Sequence, residues 1–497
     1  MELGLQFEDL SWFDETAAIS AAQEETMETA IPEYCPDMAR IVDAVGQVIL
    51  REKKLSDGRI TVSGAVKVRV LYTSEESAGV RALVMPVPFS CQLEDKRLAA
   101  CKTVCINSRL LLCEVKAVTS RKVYVRVMPE LTATGYLPQR GRYCVGADPE
   151  IRVRREEWEA ELLTEVTERE FPYTQEIMLD TTQPAPDDLL LDGMHLRIAE
   201  CRHLGSKLVV KGEAALSVLY RAEGQPLCTY ETTIPFSQIL DGIDRPEDAA
   251  FDVYPQLQES ELRVIRTDGG NGFGVTARIL LTIFVREKRR VRHIADLYST
   301  IGKTQTDRAV LPITADYRRE YARQELTQKF EFGSAAPLCY VTQADCGQIM
   351  MGSDGDRTAL RTTVRMKVLY LDESGAPMTT ERTMEASATV DTAPENCWPD
   401  CGQMMQRMSG GSCEIRLPVE FLLCSCRKKK MSTIINAKLV EDDTREKMPS
   451  VVMRRMEPGE TLWDIAKQYR TDEELIRSVN DLTEEAAGKM LLIPKIR

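Results

Sequence analysis

Three separated stretches of the chain place an apolar side chain at every second position. Residues 60–72, ITVSGAVKVRVLY, put Ile60, Val62, Gly64, Val66, Val68, Val70 and Tyr72 on one face and Thr61, Ser63, Lys67 and Arg69 on the other. Residues 208–220, LVVKGEAALSVLY, set Leu208, Val210, Ala214, Leu216, Val218 and Tyr220 against Lys211, Glu213 and Ser217. Residues 358–370, TALRTTVRMKVLY, set Leu360, Val364, Met366, Val368 and Tyr370 against Arg361, Arg365 and Lys367. Period two marks a half-buried strand, with one face on a core and the other in water. Each stretch ends in Val-Leu-Tyr, and the tyrosines stand roughly 150 residues apart, a common domain size. Even spacing predicts three copies of one β domain.

The surroundings of each stretch extend the unit. Short glycine-containing turns follow the second and third tyrosines, at Glu223-Gly224 and Asp372-Glu373-Ser374-Gly375, as hairpins require. In two copies the returning strand ends in Pro-Phe-Ser, at Pro88-Phe89-Ser90 and Pro235-Phe236-Ser237. A further alternating strand closes each copy: Val123-Val125-Val127, then Val275 through Val285, then Ile415-Leu417-Val419-Phe421-Leu423. Pro418 lies on the polar side of the last, which predicts an edge position. The fold class is therefore mainly β, as three antiparallel, sandwich-like or open-barrel domains. Residues 151–170 are charge-dense and read as a linker, and Gln183-Pro184-Ala185-Pro186-Asp187 as the approach to the second copy. Residues 440–450 read as a second polar linker. Basic runs follow two closing strands, at Arg286, Lys288, Arg289, Arg290 and Arg292 and at 427–430. They read as solvated strand ends in preference to a lipid-binding or acidic-partner surface.

The last 45 or so residues switch to a helical period. Thr461 with Asp464, and Thr471 with Glu474, read as capping boxes. Leu462, Ile465, Ala466 and Tyr469 form the buried stripe of the first helix, and Leu475, Ile476 and Val479 that of the second. Val451-Val452-Met453 and Met490-Leu491-Leu492-Ile493-Pro494 can pair around them, giving a small β-α-α-β module. Trp463, Ile465, Tyr469, Leu491 and Ile493 are expected in its core.

Composition narrows the function classes. The chain has 497 residues, too many for one core, and a formal net charge of −13. An acidic chain is poorly suited to nucleic acid, which needs clustered Lys and Arg. No stretch reads as a secretory signal or a membrane span. A cytosolic chain is expected, with its 15 cysteines reduced and mostly buried. The cysteine pairs Cys101 and Cys105, Cys397 and Cys401, and Cys424 and Cys426 lack zinc-ligand spacing, so no metal and no cofactor is expected. With three histidines there is little material for His-based catalysis. Gly302-Lys303-Thr304 lacks the earlier glycine of a phosphate loop, because Leu297 stands there, and Asp354-Gly355-Asp356 reads as a turn. The chain is expected not to be an enzyme.

Two resemblances sharpen this reading. Pro458-Gly459-Glu460-Thr461-Leu462-Trp463-Asp464-Ile465-Ala466, then Asn480-Asp481-Leu482, Gly488 and Leu491-Leu492-Ile493-Pro494, resemble a LysM domain. That likeness implies a shallow groove formed by Gly459, Glu460, Thr461 and Leu462 on one side and Asn480, Asp481 and Leu482 on the other. Its family ligand is an N-acetylglucosamine glycan such as peptidoglycan or chitin. Departures are Glu460 for aspartate, Arg454 for an aromatic, Arg470 for a helix-ending glycine, and a short acidic stretch at 483–487. Ile31-Pro32-Glu33-Tyr34-Cys35-Pro36-Asp37-Met38-Ala39-Arg40-Ile41-Val42, with Gly46-Gln47-Val48 and Asp57-Gly58-Arg59-Ile60-Thr61-Val62-Ser63-Gly64, resembles the SPOCS domain of SipL-type spore morphogenesis proteins. The likeness weakens in the second copy and again in the third, where Thr362 replaces the strand glycine.

The combined resemblance implies an arm at 1–25, SPOCS-like repeats at 26–155, 156–310 and 311–445, and a LysM domain at 446–497. It also implies a non-catalytic scaffold of spore-coat assembly on the mother-cell side of the forespore surface. Its LysM domain would dock a coat-basement ATPase, the stage-IV-A sporulation protein, or another coat protein. Glycan binding through LysM is the alternative. Several weak contacts on one chain gain avidity against a polymeric partner.

Overall fold

The computed structural model describes residues 2–75, 79–222, 225–267, 270–332, 338–440, 449–482 and 488–495. The Glu223-Gly224 turn, most of the 440–450 linker and the acidic stretch 483–487 lie outside them.

The chain is mainly antiparallel β structure. The first body contains β1 (Leu5–Ala22), β2 (Glu25–Ala30), β3 (Arg40–Ser56), β4 (Arg59–Thr73), β5 (Val80–Glu94), β6 (Thr103–Thr119) and β7 (Lys122–Ala147). The second contains β8 (Ile151–Met178), β9 (Pro186–Leu204), β10 (Lys207–Ala222), β11 (Gln225–Asp241), β12 (Ala250–Thr267) and β13 (Gly270–Ser299). The third contains β14 (Lys303–Glu331), β15 (Cys339–Asp354), β16 (Arg357–Leu371), β17 (Pro377–Val390), β18 (Asn396–Cys401), β19 (Met405–Ser409) and β20 (Ser412–Val440).

Each body stacks a three-stranded meander on a second sheet whose middle strand is the last of the body. The meanders are β3-β4-β5, β9-β10-β11 and β15-β16-β17. In the second sheets, β7, β13 and β20 lie between the first strand of their body and the next-to-last. Val66, Val68, Val70 and Tyr72 from the meander meet Val123, Val125 and Val127 from the other sheet in one core. Alternation thus places one face of each sheet inward.

Three expectations change once strand partners are known. Residues 5–22, expected in an arm, form β1 and pair with β7 along its length. The boundaries expected at 155/156 and 310/311 fall inside the continuous strands β8 and β14. The charge-dense stretch 151–170 is likewise part of β8, whose acidic residues lie opposite the basic run of β13: Glu161 pairs with Lys288, Glu159 with Arg290 and Glu157 with Arg292. Opposite charges across strands stabilise the ladder. The Arg290–Glu157 pair is 3.1 Å long, and Arg286 stacks on Tyr317 at 3.4 Å beside Asp252. The other basic run stays exposed, with Lys429 over the Trp158 ring at 5.4 Å.

Pro418 is not on an edge. It lies in the central strand β20, opposite the interruption between β18 and β19, where Gly402 N–H donates to the Pro418 carbonyl at 2.9 Å. A residue's N–H and carbonyl point to the same side in an antiparallel ladder. The missing proline N–H therefore faces the break.

The third copy's departure has a packing cause. Gly64 lies opposite Phe89 and Gly212 opposite Phe236, so the phenylalanine of each Pro-Phe-Ser covers a glycine. A Cβ on Gly64 would come within 2.1 Å of the Ile49 carbonyl oxygen, and one on Gly212 within 2.2 Å of the Phe236 ring. In the third body the pair is Thr362 and Ala386, and the Thr362 hydroxyl donates to the Gly347 carbonyl at 3.1 Å. A small partner replaces the ring where the glycine has gained a side chain.

The bodies do not stand in a row. The leucine of Val-Leu-Tyr points away from its own sandwich, yet Leu71, Leu219 and Leu369 are all fully buried in one cluster with Val42, Leu190 and Tyr340. A second shared cluster joins Trp12, Tyr143, Leu162, Val291, Ile313 and Met431, again from all three bodies. The residue two before each leucine binds the next body. Arg69 pairs with Asp192, Tyr340 donates to Ser217 at 3.4 Å, and Lys367 pairs with Asp43. First to second, second to third and third to first, the contacts close a ring. The face expected in water at Arg69, Ser217 and Lys367 is an inter-body joint.

Candidate functional site

After the third body come β21 (Val451–Arg455), α1 (Leu462–Tyr469), α2 (Glu473–Val479) and β22 (Met490–Pro494). The two strands pair with Met453 opposite Leu492 and Arg455 opposite Met490. The loop leaving β21 and the loop entering β22 therefore emerge at one end. Met456 N–H donates to the Lys489 carbonyl at 3.0 Å there.

The first helix begins as its residues dictate. Thr461 Oγ1 accepts from Asp464 N–H at 3.2 Å, and the Asp464 carboxylate accepts from Thr461 N–H at 3.0 Å. The Thr461 hydroxyl beside Asp464 holds that carboxyl below its usual range. Arg470 ends the helix at φ +52°, a left-handed conformation costing about 1 kcal/mol without glycine. The second helix is capped by Asp472, which accepts from Glu474 N–H at 3.0 Å, and not by Thr471. Thr471 is buried and donates to the Pro494 carbonyl at 2.6 Å. Of the stripe expected on α2, Ile476 is buried, Leu475 half-buried and Val479 44% exposed. The core gathers Leu462, Ile465, Ala466, Ile476, Leu491 and Ile493, with Tyr469 partly buried against it.

The seven groove positions divide by environment. Gly459, at φ +86°, and Thr461 are exposed in the first loop, whereas Leu462 is core. Glu460 accepts from Arg454 Nη2 at 2.7 Å and from Glu457 N–H at 3.2 Å. The two departures Glu460 and Arg454 thus satisfy each other. In the second loop the Asn480 amide donates to the carbonyls of Leu492 and Ile476 at 2.7 and 2.8 Å and accepts from Leu492 N–H at 2.7 Å. It fastens α2 to β22. Asp481 is exposed at φ +48°, and Leu482 packs partly against the core.

Sequence reasoning missed the seat of this module. Trp463 Nε1 donates to Asp296 Oδ2 at 2.8 Å, and Lys467 Nζ reaches both oxygens of that carboxylate at 2.7 and 2.8 Å. Arg308 of the third body adds a bond at 2.9 Å. Burial pushes the Asp296 carboxyl up, but the bonds from Lys467 and Trp463 and the charge of Arg308 outweigh it, leaving it below the ordinary range. Tyr298 donates to the Thr471 carbonyl at 2.8 Å and meets the Trp463 ring edge-on at 4.8 Å. Burial first, then the Asp472 carboxylate, pushes the Tyr298 phenol up. Arg152 pairs with Asp472 at 2.7 Å. The available signal was the stretch Ile294-Ala295-Asp296-Leu297-Tyr298, where strict apolar-polar alternation stops. Among the described residues no group of three or more His, Cys, Asp or Glu is placed to hold a metal, and no helix is long and apolar enough to cross a membrane.

Comparison with known families agrees with the two resemblances. A SipL, SPOCS domain profile matches residues 37–111 and 187–265, and a LysM domain profile matches residues 457–494. No curated protein and no solved structure matches the chain. The SPOCS matches run from the opening of β3 and β9 into β6 and β12, through the meanders of the first two bodies. The LysM match covers both groove loops. Both are binding and scaffold domains, and SPOCS ties the chain to sporulation. In domain make-up the chain carries two segments that match the SipL, SPOCS domain, a third body of the same strand order, and a LysM domain.

Proposed function

We propose that this chain is a non-catalytic scaffold of spore-coat assembly, acting on the mother-cell side of the forespore surface. In this reading the three β bodies form the frame, and the LysM module holds a coat-basement ATPase. The observation that carries it is the division of the module's surface. The α1 side is occupied by the chain's own Asp296 and Tyr298, while the loop end and the outer face of its sheet are open. That face presents Met453, Met490 and Leu492, which are 65%, 57% and 37% exposed. Exposed methionines suit an adaptable protein contact. A sugar would find Glu460 and Asn480 already bonded within the module, which favours a protein occupant.

The test is capture of the ATPase by the full chain carrying Met453→Glu with Asp481→Arg. Capture at least tenfold weaker than wild type is expected, with the fold intact by circular dichroism. Undiminished capture would contradict the reading. Retention of the wild-type chain on chitin or peptidoglycan, competed by N-acetylglucosamine oligomers, would favour the glycan alternative.

A further inference from the structure

The third body holds seven of the 15 cysteines, and two pairs of them bridge its sheets. Cys346 lies in β15 of the meander and Cys401 ends β18 of the opposing sheet, and their Sγ atoms are 3.2 Å apart. Cys339 of β15 and Cys413 of β20 share a second cross-sheet cluster. The pairs differ in access. Cys346 and Cys401 are half-buried, whereas Cys339 is 4% exposed and Cys413 fully buried.

We propose that Cys346 and Cys401 are a disulfide site, which a small disulfide oxidant of the glutathione type closes into a covalent staple between the two sheets of the third body. Both residues sit where the backbone is irregular. The register of β15 shifts directly after Cys346, and β18 stops at Cys401. These irregularities give the local freedom needed to bring the sulfurs from contact to a bond of about 2.05 Å. The staple lies beside the β18–β19 interruption, a break absent from the equivalent strands β6 and β12. It ties down an interrupted edge of the third body.

The exchange balances as two displacements. One cysteine thiolate attacks a sulfur of the oxidant, forming a mixed disulfide and releasing one small thiolate. The partner thiolate then displaces the second small thiol and forms the cystine. Two protein thiols are oxidised, one oxidant disulfide is reduced, and the two protons end on the released thiols. The Cys401 thiol is held above its ordinary range by its hydrogen bond to Cys346, by burial and by the carboxylates of Asp400 and Asp345. Cys346 is therefore the first to attack and Cys401 the one that resolves.

The test treats the full chain with increasing oxidised glutathione, blocks free thiols with N-ethylmaleimide and maps peptides by mass. A Cys346–Cys401 linked peptide is expected, with Cys339 and Cys413 still maleimide-reactive after unfolding. Cys401→Ser should stop at a glutathione adduct on Cys346, and Cys346→Ser should give no linked peptide. The melting temperature of the oxidised wild type should rise by several degrees and fall back on reduction. No linked peptide in a folded wild type, prior oxidation of Cys339 and Cys413, or a lasting glutathione adduct on wild-type Cys346 would each overturn the proposal.

Discussion

The joints between the β bodies and the seat of the LysM module are built from different materials. The joints bury Leu71, Leu219 and Leu369 completely and enclose the Arg69–Asp192 pair, whose side chains are 12% and 7% exposed. The charged part of the seat centres on Asp296, whose donors Lys467 and Arg308 remain about 40% exposed, beside the Tyr298 and Arg152 contacts. Removing one member of an enclosed pair leaves a buried charge, whereas donors already open to water are resolvated cheaply. The ring should therefore unfold as one unit and the module should be released separately. A rigid frame with a separable binding end suits a scaffold.

Three substitutions test that contrast, and the largest effect is expected at the joints. Arg69→Ala strands Asp192 and should cost about 3–5 kcal/mol, read as one cooperative loss in chemical unfolding. Leu219→Ala should cost about 2–5 kcal/mol and destabilise all three bodies together. Two resolved transitions among the bodies after either change would break the ring reading. Asp296→Ala should cost about 1–3 kcal/mol and leave the bodies' transition in place. Tryptophan emission should report the release of Trp463.

Acid should produce the smallest effect and separate the two regions by pH. Burial holds the His293 imidazole below its ordinary range, against the opposing effect of Glu156. The native ring therefore resists a proton that the unfolded chain accepts, and it loses stability as pH falls below about 6.5. Asp296 is depressed, so its contribution is complete above about pH 4 and is lost below that. The ring should weaken first on acidification and the seat later. A His293→Gln chain should lose the upper part of that profile in a thermal-shift titration.

Much of this architecture was legible in the residues, because alternation and capping are local. Val70 and Tyr72 read as core and are core, and Thr461 with Asp464 read as a capping box and form one. What stayed hidden depends on partners far along the chain. Glu157, Glu159 and Glu161 look like linker until register sets them opposite Arg292, Arg290 and Lys288. The burial of Leu71, Leu219 and Leu369 was not legible, because period two describes one sheet and says nothing of a neighbouring body. Thr471 and Asp472 compete for one cap, and the Pro494 carbonyl draws Thr471 away. The groove loops were marked by their motif, but the internal bonding of Glu460 and Asn480 required coordinates.

Amide hydrogen exchange of the full chain, wild type against Asp296→Ala, tests the separation of frame and module most directly. Faster exchange confined to residues 456–495, with β4, β10 and β16 as protected as before, is the expected result. Equal acceleration in those three strands, or no change in the module, would contradict it.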